Sequence, residues 1–254
     1  MIDIHNHIIY NVDDGPKNED EMISLLKQAS EEGINEIVAT PHHLHYKYNN
    51  KFDDVAKYVD SLNEHEEIRK LGIKILPGQE IRVTDELLTD LDNGNIKGVN
   101  YSKYLLLELP SNNVPNFLQN IIYEIQTRGY IPVIVHPERN KKIAQDVNIL
   151  YGLVNIGVLC QLTASSFAGD MGKNIQKISM RMIEHNLVHF IASDAHDVKF
   201  RPFKAEKLFS ISKLSKYEEE IKEMFENNKH LVNDEKITQR RPIEYKKKKI
   251  LGIF

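Results

Sequence analysis

The chain has 254 residues, of which 41% are apolar, and this composition suits one α/β domain with a large buried core. Its formal net charge of −4 excludes the broad basic surface that is typical of nucleic-acid-binding domains. The single cysteine, Cys160, excludes an internal disulfide framework. No apolar stretch approaches the roughly 20 residues of a membrane span, and the N-terminus lacks the pattern of a signal peptide, so we expect a cytoplasmic protein.

Short apolar runs alternate with helical patterns along the chain. The first run ends in His5-Asn6-His7, and a helix is predicted to begin after Asn18 and to end at Gly33. The later runs end at positions 42, 80, 108, 136, about 162 and 194, so one strand-helix unit follows another every 25 to 40 residues. Further helices are predicted near 52–70, 84–92, 115–128, 146–155, 173–186, 202–214 and 216–227.

The number of strands that end in polar residues favours a closed barrel over an open sheet. An open doubly wound sheet concentrates its site at a switch in strand order, whereas a closed barrel gathers residues from many strand ends. We therefore predict a distorted seven-stranded (β/α)7 barrel over residues 1–238, with its site at the C-terminal ends of the strands.

The last residues, 239–254, depart from the repeat. They combine Arg240-Arg241, four lysines at 246–249 and an apolar end at 250–254. A basic segment with an apolar end can bind anionic lipid or a partner protein. A solvated terminus is the alternative.

Histidines and carboxylates follow the apolar runs closely enough to form a metal cluster. His5 and His7 are two positions apart at the end of a strand, so both side chains point to the same face. The candidate ligands are His5, His7, Asp14, His42, Glu80, Glu108, His136, Asp194 and His196, and Asp13 competes with Asp14. One ion cannot use nine donors, so two or three ions are predicted, and this donor set suits Mn²⁺, Fe²⁺ or Zn²⁺.

The charge of the filled cluster points to phosphate chemistry. Four carboxylates contribute −4 and three divalent ions contribute +6, which leaves +2 to attract a phosphate monoester dianion. Arg139 and Arg201 follow two of the ligand-bearing strand ends, and a guanidinium group binds phosphate oxygens in a bidentate manner. A surface ion pair between Arg139 and Glu138 is the alternative.

Other reactive residues receive a structural interpretation. Cysteine-dependent tyrosine phosphatases carry an arginine six positions after the nucleophile, but position 166 is serine, so Cys160 is predicted to be a core residue. His43 and His45 are expected to lie behind the ligands or at the rim. Four aromatic residues flank ligand-bearing loops and pack either within those loops or against a tyrosyl ring, namely Tyr46, Tyr48, Phe200 and Phe203.

Several motifs resemble the PHP (polymerase and histidinol phosphatase) superfamily across nearly the whole chain. They include Asp3-Ile4-His5-Asn6-His7, Asp13-Asp14-Gly15, Pro77-Gly78-Gln79-Glu80, His136-Pro137-Glu138-Arg139 and Ser193-Asp194-Ala195-His196. The sequence is similar to bacterial tyrosine-protein phosphatases of the CpsB, CapC and YwqE type. The resemblance implies a distorted seven-stranded barrel that holds three metal ions.

The resemblance also assigns roles to the candidate residues. It implies one ion at His5, His7, Glu80 and Asp194, a second at Asp14, His42 and His196, a third at Glu80, Glu108 and His136, and phosphate binding by Arg139 and Arg201. Such enzymes are manganese-dependent, so Mn²⁺ is the expected ion, with Mg²⁺, Fe²⁺, Co²⁺ or Zn²⁺ as alternatives.

The implied substrate is the phosphotyrosine-bearing tail of a membrane-associated tyrosine kinase that controls capsule or exopolysaccharide export. This places the protein at the inner face of the plasma membrane. Membrane contact through the tail and assembly into a homo-oligomer stay open.

We therefore predict a metal-dependent protein-tyrosine phosphatase in which a metal-bound hydroxide attacks phosphorus. Within enzymes, the rival is a phosphatase of small molecules such as histidinol phosphate, or a nuclease that uses the same metals. The second rival is a scaffold that binds a kinase complex without catalysis and holds its metals for structural reasons.

Overall fold

A computed structural model describes residues 1–246. Over this range the chain forms nine strands. They are β1 (Ile2–Asn6), β2 (Glu36–Ala39), β3 (His42–His43), β4 (Lys74–Pro77), β5 (Glu80–Arg82), β6 (Tyr104–Glu108), β7 (Ile131–Val135), β8 (Leu159–Thr163) and β9 (Phe190–Ala192).

Ten α-helices connect or cover these strands within the same residues. They are α1 (Glu19–Glu31), α2 (Phe52–Glu64), α3 (Glu66–Leu71), α4 (Leu87–Asp92), α5 (Leu118–Thr127), α6 (Lys141–Gln145), α7 (Asn148–Asn155), α8 (Ala164–Ala168), α9 (Lys173–Glu184) and α10 (Glu218–Val232). Short 3₁₀ helices lie at Val99–Tyr101, Pro137–Arg139, Glu206–Ser210 and Ser212–Tyr217.

The strands form two parallel sheets. The smaller sheet has the order β1-β2-β4, and the larger has the order β3-β5-β6-β7-β8-β9. After β2, the chain passes Pro41 into β3, and after β4 it passes Gly78 into β5. These two interruptions explain why seven predicted strands correspond to nine observed ones.

The expected mixed α/β fold with parallel strands is confirmed, but a single closed ring of seven strands is not. At the open ends of the two sheets, Asn6 forms an isolated parallel bridge with Ala195. The N–H of His7 donates to the carbonyl of Ala195 at 2.8 Å, and the N–H of Asp194 donates to the carbonyl of His5 at 2.8 Å. These few bonds bring the end of β1 beside the segment that follows β9.

Two helix predictions differ from the structure. The helix predicted over 52–70 is divided into α2 and α3 by His65, whose backbone is extended. The helix predicted over 202–214 is replaced by short 3₁₀ turns. The N–H of Phe203 donates to the side chain of Gln28 in α1, and the N–H groups of Ala205 and Lys207 donate to the buried carboxylate of Glu32, the residue that follows α1. In a helix over 202–214 the N–H of Lys207 would instead donate to the carbonyl of Phe203.

The start of the predicted tail packs on the domain. Arg240 pairs with Glu220 and Glu223 of α10, and the Tyr245 ring lies 4.4 Å from the guanidinium carbon of Arg181 in α9. The remainder of the predicted basic and apolar segment, 247–254, lies outside the described residues. Among the residues that are described, the helices are too short or too polar to cross a membrane.

Candidate metal centre

The end of β1 places two buried histidines side by side. The Nε2 atom of His5 lies 3.5 Å from an oxygen of Glu80 and 3.6 Å from Asp194 Oδ1. The Nε2 atom of His7 lies 3.3 Å from the other oxygen of Glu80 and 3.5 Å from Asp194 Oδ1. Donors that are each about 2.1 Å from one ion are separated by about 3 to 3.5 Å, so these four side chains have the spacing of a shared ion.

A second group lies beside the first on its more exposed side. The Oδ1 atom of Asp14 is 3.4 Å from His42 Nε2 and 3.3 Å from His196 Nε2. Ligand atoms of His7, Asp14, His42 and His196 all lie within 4.8 Å of one another. The three residues that the resemblance assigned to a second ion therefore do converge, and His7 lies among them.

Glu80 joins these groups to a third. Its carboxylate lies 2.9 Å from His42 Nδ1 and 2.7 Å from His136 Nε2. Glu108 is close as well, and its nearest grouping is with His42 and Glu80, whereas the resemblance combined Glu80 and Glu108 with His136. Arg82, for which no role was predicted, donates to Glu108 Oε1 at 2.7 Å.

Hydrogen bonds behind the histidines orient their rings. The Nδ1 atom of His5 lies 2.8 Å from Gln161 Oε1, and the amide nitrogen of Gln161 donates to Leu162, so the ring nitrogen is the donor of this pair. The Nδ1 atom of His196 faces the carbonyl of Asp194 at 3.0 Å. Both rings therefore direct an Nε2 lone pair towards the centre, which is the usual arrangement of metal-binding histidines. Gln161 was not predicted, although it lies at a polar position near the end of a predicted strand.

The competing residues Asp13 and Asp14 face different ways. Asp13 is buried, accepts from His7 Nδ1 at 2.6 Å and accepts the N–H of Gly15 at 2.9 Å. Asp14 instead directs Oδ1 towards His42 and His196. The geometry therefore makes Asp13 a support for His7 and leaves Asp14 at the cluster.

Buried polar atoms without partners test whether the residues suit a cation. Six atoms of the candidate ligands are buried and form no hydrogen bond, namely His5 Nε2, His7 Nε2, His42 Nδ1, His196 Nε2, Glu108 Oε2 and Asp194 Oδ1. Leaving one such group unsatisfied typically costs about 1–3 kcal/mol, and a bound cation would satisfy several of them at once. Imidazole and carboxylate donors suit Mn²⁺, Fe²⁺ and Zn²⁺.

The electrostatics of the centre also favour bound cations. Burial opposes ionisation of Asp194, but Arg139 and Arg201 outweigh it and hold the pKa of that carboxyl well below its usual range. Burial likewise opposes a charge on His42, but Glu80 and Asp14 raise the pKa of His42 to about 10. A protonated histidine thus neutralises the carboxylates, and a divalent ion that binds displaces such protons.

Both predicted arginines lie at the edge of the cluster. Arg139 and Arg201 each donate to Asp194 Oδ2, Arg201 at 2.6 Å, and both line the cavity above the centre. The Nε atom of each is buried without a partner. Glu138, the alternative partner of Arg139, accepts the N–H of Thr163 instead. The two guanidinium groups therefore retain unused donors beside the candidate ligands.

Two candidate ligands have unusual backbones. His136 has φ of 36° and Asp194 has φ of 53°, both in the left-handed region that residues other than glycine seldom adopt. Asp3 holds the segment before Asp194 because its carboxylate accepts the N–H of Ser193 at 2.7 Å and the N–H of His5 at 3.2 Å. This function of Asp3 was not predicted, although a carboxylate inside a buried strand was the available signal.

Most residues given a structural interpretation lie away from the cluster, but His45 is at its rim, where it lines the cavity and stacks on His42. His43 is buried and bonds Asp90 at 2.8 Å. Cys160 is fully buried, and burial raises the pKa of its thiol. Among the four aromatic residues, Phe203 is a core residue at 1% exposure, whereas Tyr46 lines the cavity.

Comparisons with known proteins identify the family of this chain. The family model described as "Capsular polysaccharide synthesis, CpsB/CapC" matches residues 1–233. CapC of Staphylococcus aureus is 49% identical to this chain over 255 residues, with both chains covered completely. YwqE of Bacillus subtilis, which is named a tyrosine-protein phosphatase, is 39% identical over 256 residues, again with both chains fully covered.

A solved structure is similar over nearly the whole fold. It comes from work on YwqE of Bacillus subtilis and CpsB of Streptococcus pneumoniae, which are described as metal-dependent tyrosine phosphatases. It has a TM-score of 0.92 and 38% identity, and the match covers 97% of this chain and 100% of the other. The chain therefore belongs to the CpsB/CapC family of capsular polysaccharide synthesis proteins.

Proposed function

We propose that this protein is a metal-dependent tyrosine phosphatase of capsular polysaccharide synthesis. The observation that carries the proposal is the set of six unpartnered, buried ligand atoms beside two arginines with free donors. Relatives that align along the full chain are named tyrosine-protein phosphatases or described as metal-dependent ones. Divalent ions, when bound, supply a nucleophile at neutral pH and withdraw charge from the phosphoryl oxygens.

The proposed ligand sets are those that the family resemblance implies. His5, His7, Glu80 and Asp194 would hold one ion, Asp14, His42 and His196 a second, and Glu80, Glu108 and His136 a third, with Mn²⁺ as the proposed metal. The proximity of His42 to Glu80 and Glu108 supports a role for His42 between the last two sites. Glu80 is the proposed bridge because both of its oxygens face histidines.

Arg139 and Arg201 are the proposed phosphate-binding residues. Each is paired with Asp194, and each lines the cavity above the candidate ligands, where a phosphate would bind. Guanidinium groups bind phosphate through parallel N–H bonds and stabilise the charge of the transition state. The leaving phenolate of tyrosine has a conjugate acid with a pKa near 10, so it departs without a strong dedicated general acid.

The proposed physiological substrate is the phosphotyrosine-bearing tail of a membrane-associated tyrosine kinase. The cavity above the candidate ligands has a volume of about 400 Å³. A flexible peptide can reach the candidate ligands through this cavity. We propose that residues 1–238 form the phosphatase domain at the inner face of the plasma membrane, and that residues 239–254 contact the kinase or lipid. We also propose that the two sheets together act as a distorted seven-stranded barrel, since β2 leads into β3 and β4 into β5.

An assay on a phosphotyrosyl peptide tests this function. Turnover is expected with Mn²⁺, and it should be lost with chelator and in the variants His136→Ala and Arg139→Ala. His65 and Arg128, which pair with Glu19 and Asp92 outside the cavity, provide matched controls, and His65→Ala and Arg128→Ala should retain turnover. Undiminished hydrolysis in excess chelator would contradict the mechanism, and faster turnover of histidinol phosphate than of the peptide would contradict the substrate.

A further inference from the structure

One wall of the cavity ends in a short turn that presents an aromatic ring. The N–H of His45 donates to the carbonyl of Tyr48 at 3.1 Å, and the N–H of Tyr48 donates to the carbonyl of His45 at 3.0 Å. These reciprocal bonds close a four-residue turn. Tyr46 and Lys47 form its tip, and Tyr46 lines the cavity.

Stacked rings connect this turn to the metal centre. The rings of His42, His45 and Tyr48 are nearly parallel and mutually adjacent: the His45 centroid lies 4.8 Å from that of His42 and 5.3 Å from that of Tyr48, and the last two are 6.0 Å apart. Since His42 is itself held between Glu80 and Asp14, the stack fixes the turn relative to the candidate ligands. The tip is therefore positioned by rigid neighbours.

The ring of Tyr46 is 82% exposed and has little covering it on its outer side. It packs on the edge of His45, with ring centroids 4.3 Å apart, and Lys47 lies over it at 5.4 Å. Arginine side chains from two other segments, Arg139 and Arg201, line the same cavity. An aromatic side chain offers a large contact surface at a small cost in conformational entropy.

We propose that Tyr46 is a specificity-determining residue that packs against the phenyl ring of a phosphotyrosyl substrate. The inference rests on the proposed phosphatase function and adds to it the part of the chain that distinguishes aromatic from short aliphatic phosphate esters. The aliphatic ester of phosphoserine carries no ring to cover Tyr46. Phe203 is excluded by its burial, and Phe200 is exposed but does not line the cavity.

Steady-state kinetics of Tyr46→Ala and Tyr46→Phe with Mn²⁺ and a phosphotyrosyl peptide test the proposal. Loss of one aromatic contact should raise KM about tenfold in Tyr46→Ala and leave kcat little changed, whereas Tyr46→Phe should restore the wild-type KM. The inhibition constant of inorganic phosphate, which has no ring, should be the same in all three proteins. Tyr123→Ala alters another exposed tyrosine, on α5, and is the matched control.

The outcomes separate the inference from the function on which it rests. An unchanged KM in Tyr46→Ala, in a preparation whose wild-type turnover depends on Mn²⁺, would overturn the role of Tyr46 alone. An equal increase in KM and in the phosphate inhibition constant would overturn it too, because that result indicates a disturbed phosphate site. Absence of turnover by the wild-type protein would refute the phosphatase function, and the proposal for Tyr46 with it.

Discussion

Replacing Asp3 by alanine should destabilise the fold strongly, although the proposed mechanism gives this side chain no chemical step. Asp3 is 2% exposed, and its oxygens accept from the N–H of His5, the N–H of Ser193 and the amide of Asn6. The alanine variant leaves three buried donors without an acceptor. At about 1–3 kcal/mol for each donor, the loss is about 3–9 kcal/mol. This is a large share of the roughly 5–15 kcal/mol that stabilises a typical domain.

The milder variant Asp3→Asn keeps one acceptor oxygen and removes the other. The new amide group then faces a donor, and the expected decrease in the free energy of unfolding is about 1–3 kcal/mol. Asp60, which is exposed on α2, provides a control because Asp60→Ala should change stability by less than about 0.5 kcal/mol.

Urea unfolding of the metal-free proteins, followed by circular dichroism, measures these differences in the free energy of unfolding. One slope of that free energy against urea concentration is used for all variants. A loss below about 1 kcal/mol for Asp3→Ala would refute the assignment, because it would mean that the three donors find other acceptors. The same variants should bind Mn²⁺ more weakly, since Asp3 holds Ser193 next to Asp194 and the backbone of His5.

Three further changes test other parts of the structure. Burial lowers the pKa of His189 to about 4, so the unfolded chain binds more protons than the folded chain between pH 6.5 and 4. About 3 kcal/mol of stability that is present above pH 6.5 should therefore be lost as the pH falls to 4. Urea unfolding of metal-free His189→Asn at several pH values should show a smaller loss than urea unfolding of the wild-type protein. Cys160→Ala should leave kcat unchanged, and thiol reagents should not inhibit the folded enzyme, because the thiol is fully buried. Gly78→Ala should lower the free energy of unfolding in urea by about 1–3 kcal/mol, because the added Cβ would lie 2.7 Å from Val38 Cγ1. Gly152→Ala is the control in α7, where the added Cβ meets open space, and it should raise that free energy by about 0.5–1 kcal/mol.

The sequence predicted the convergence of the ligands because all of them follow strands that run in the same direction. Residues at the carboxyl ends of parallel strands must meet at one edge, whatever the lengths of the helices between them. His5, His136 and Asp194 could therefore be selected from apolar runs alone. Their roles as ligands remain predictions, but the structure brings their side chains together.

The supporting residues could not be predicted in the same way. Gln161 orients His5 across 156 positions, and Asp3 bonds Ser193 across 190. A polar residue inside an apolar run shows that some partner exists, but only the packed structure identifies it. The helix predicted over 202–214 failed for a related reason, because the distant carboxylate of Glu32 accepts the N–H of Lys207, which that helix would use for its own first hydrogen bonds.

The interruptions of β2 and β4 explain how side chains from neighbouring strands meet so closely. Where β3 pairs with β5, His42 lies opposite Glu80. Where β5 pairs with β6, Arg82 lies opposite Glu108. Paired residues on parallel strands present side chains to the same face, which accounts for the 2.9 Å and 2.7 Å contacts of these two pairs. A slip of β5 by one residue would turn Glu80 and Arg82 to the opposite face. The register set after Pro41 and Gly78 therefore determines which donors meet, and the metal centre depends on it as much as on the identity of its ligands.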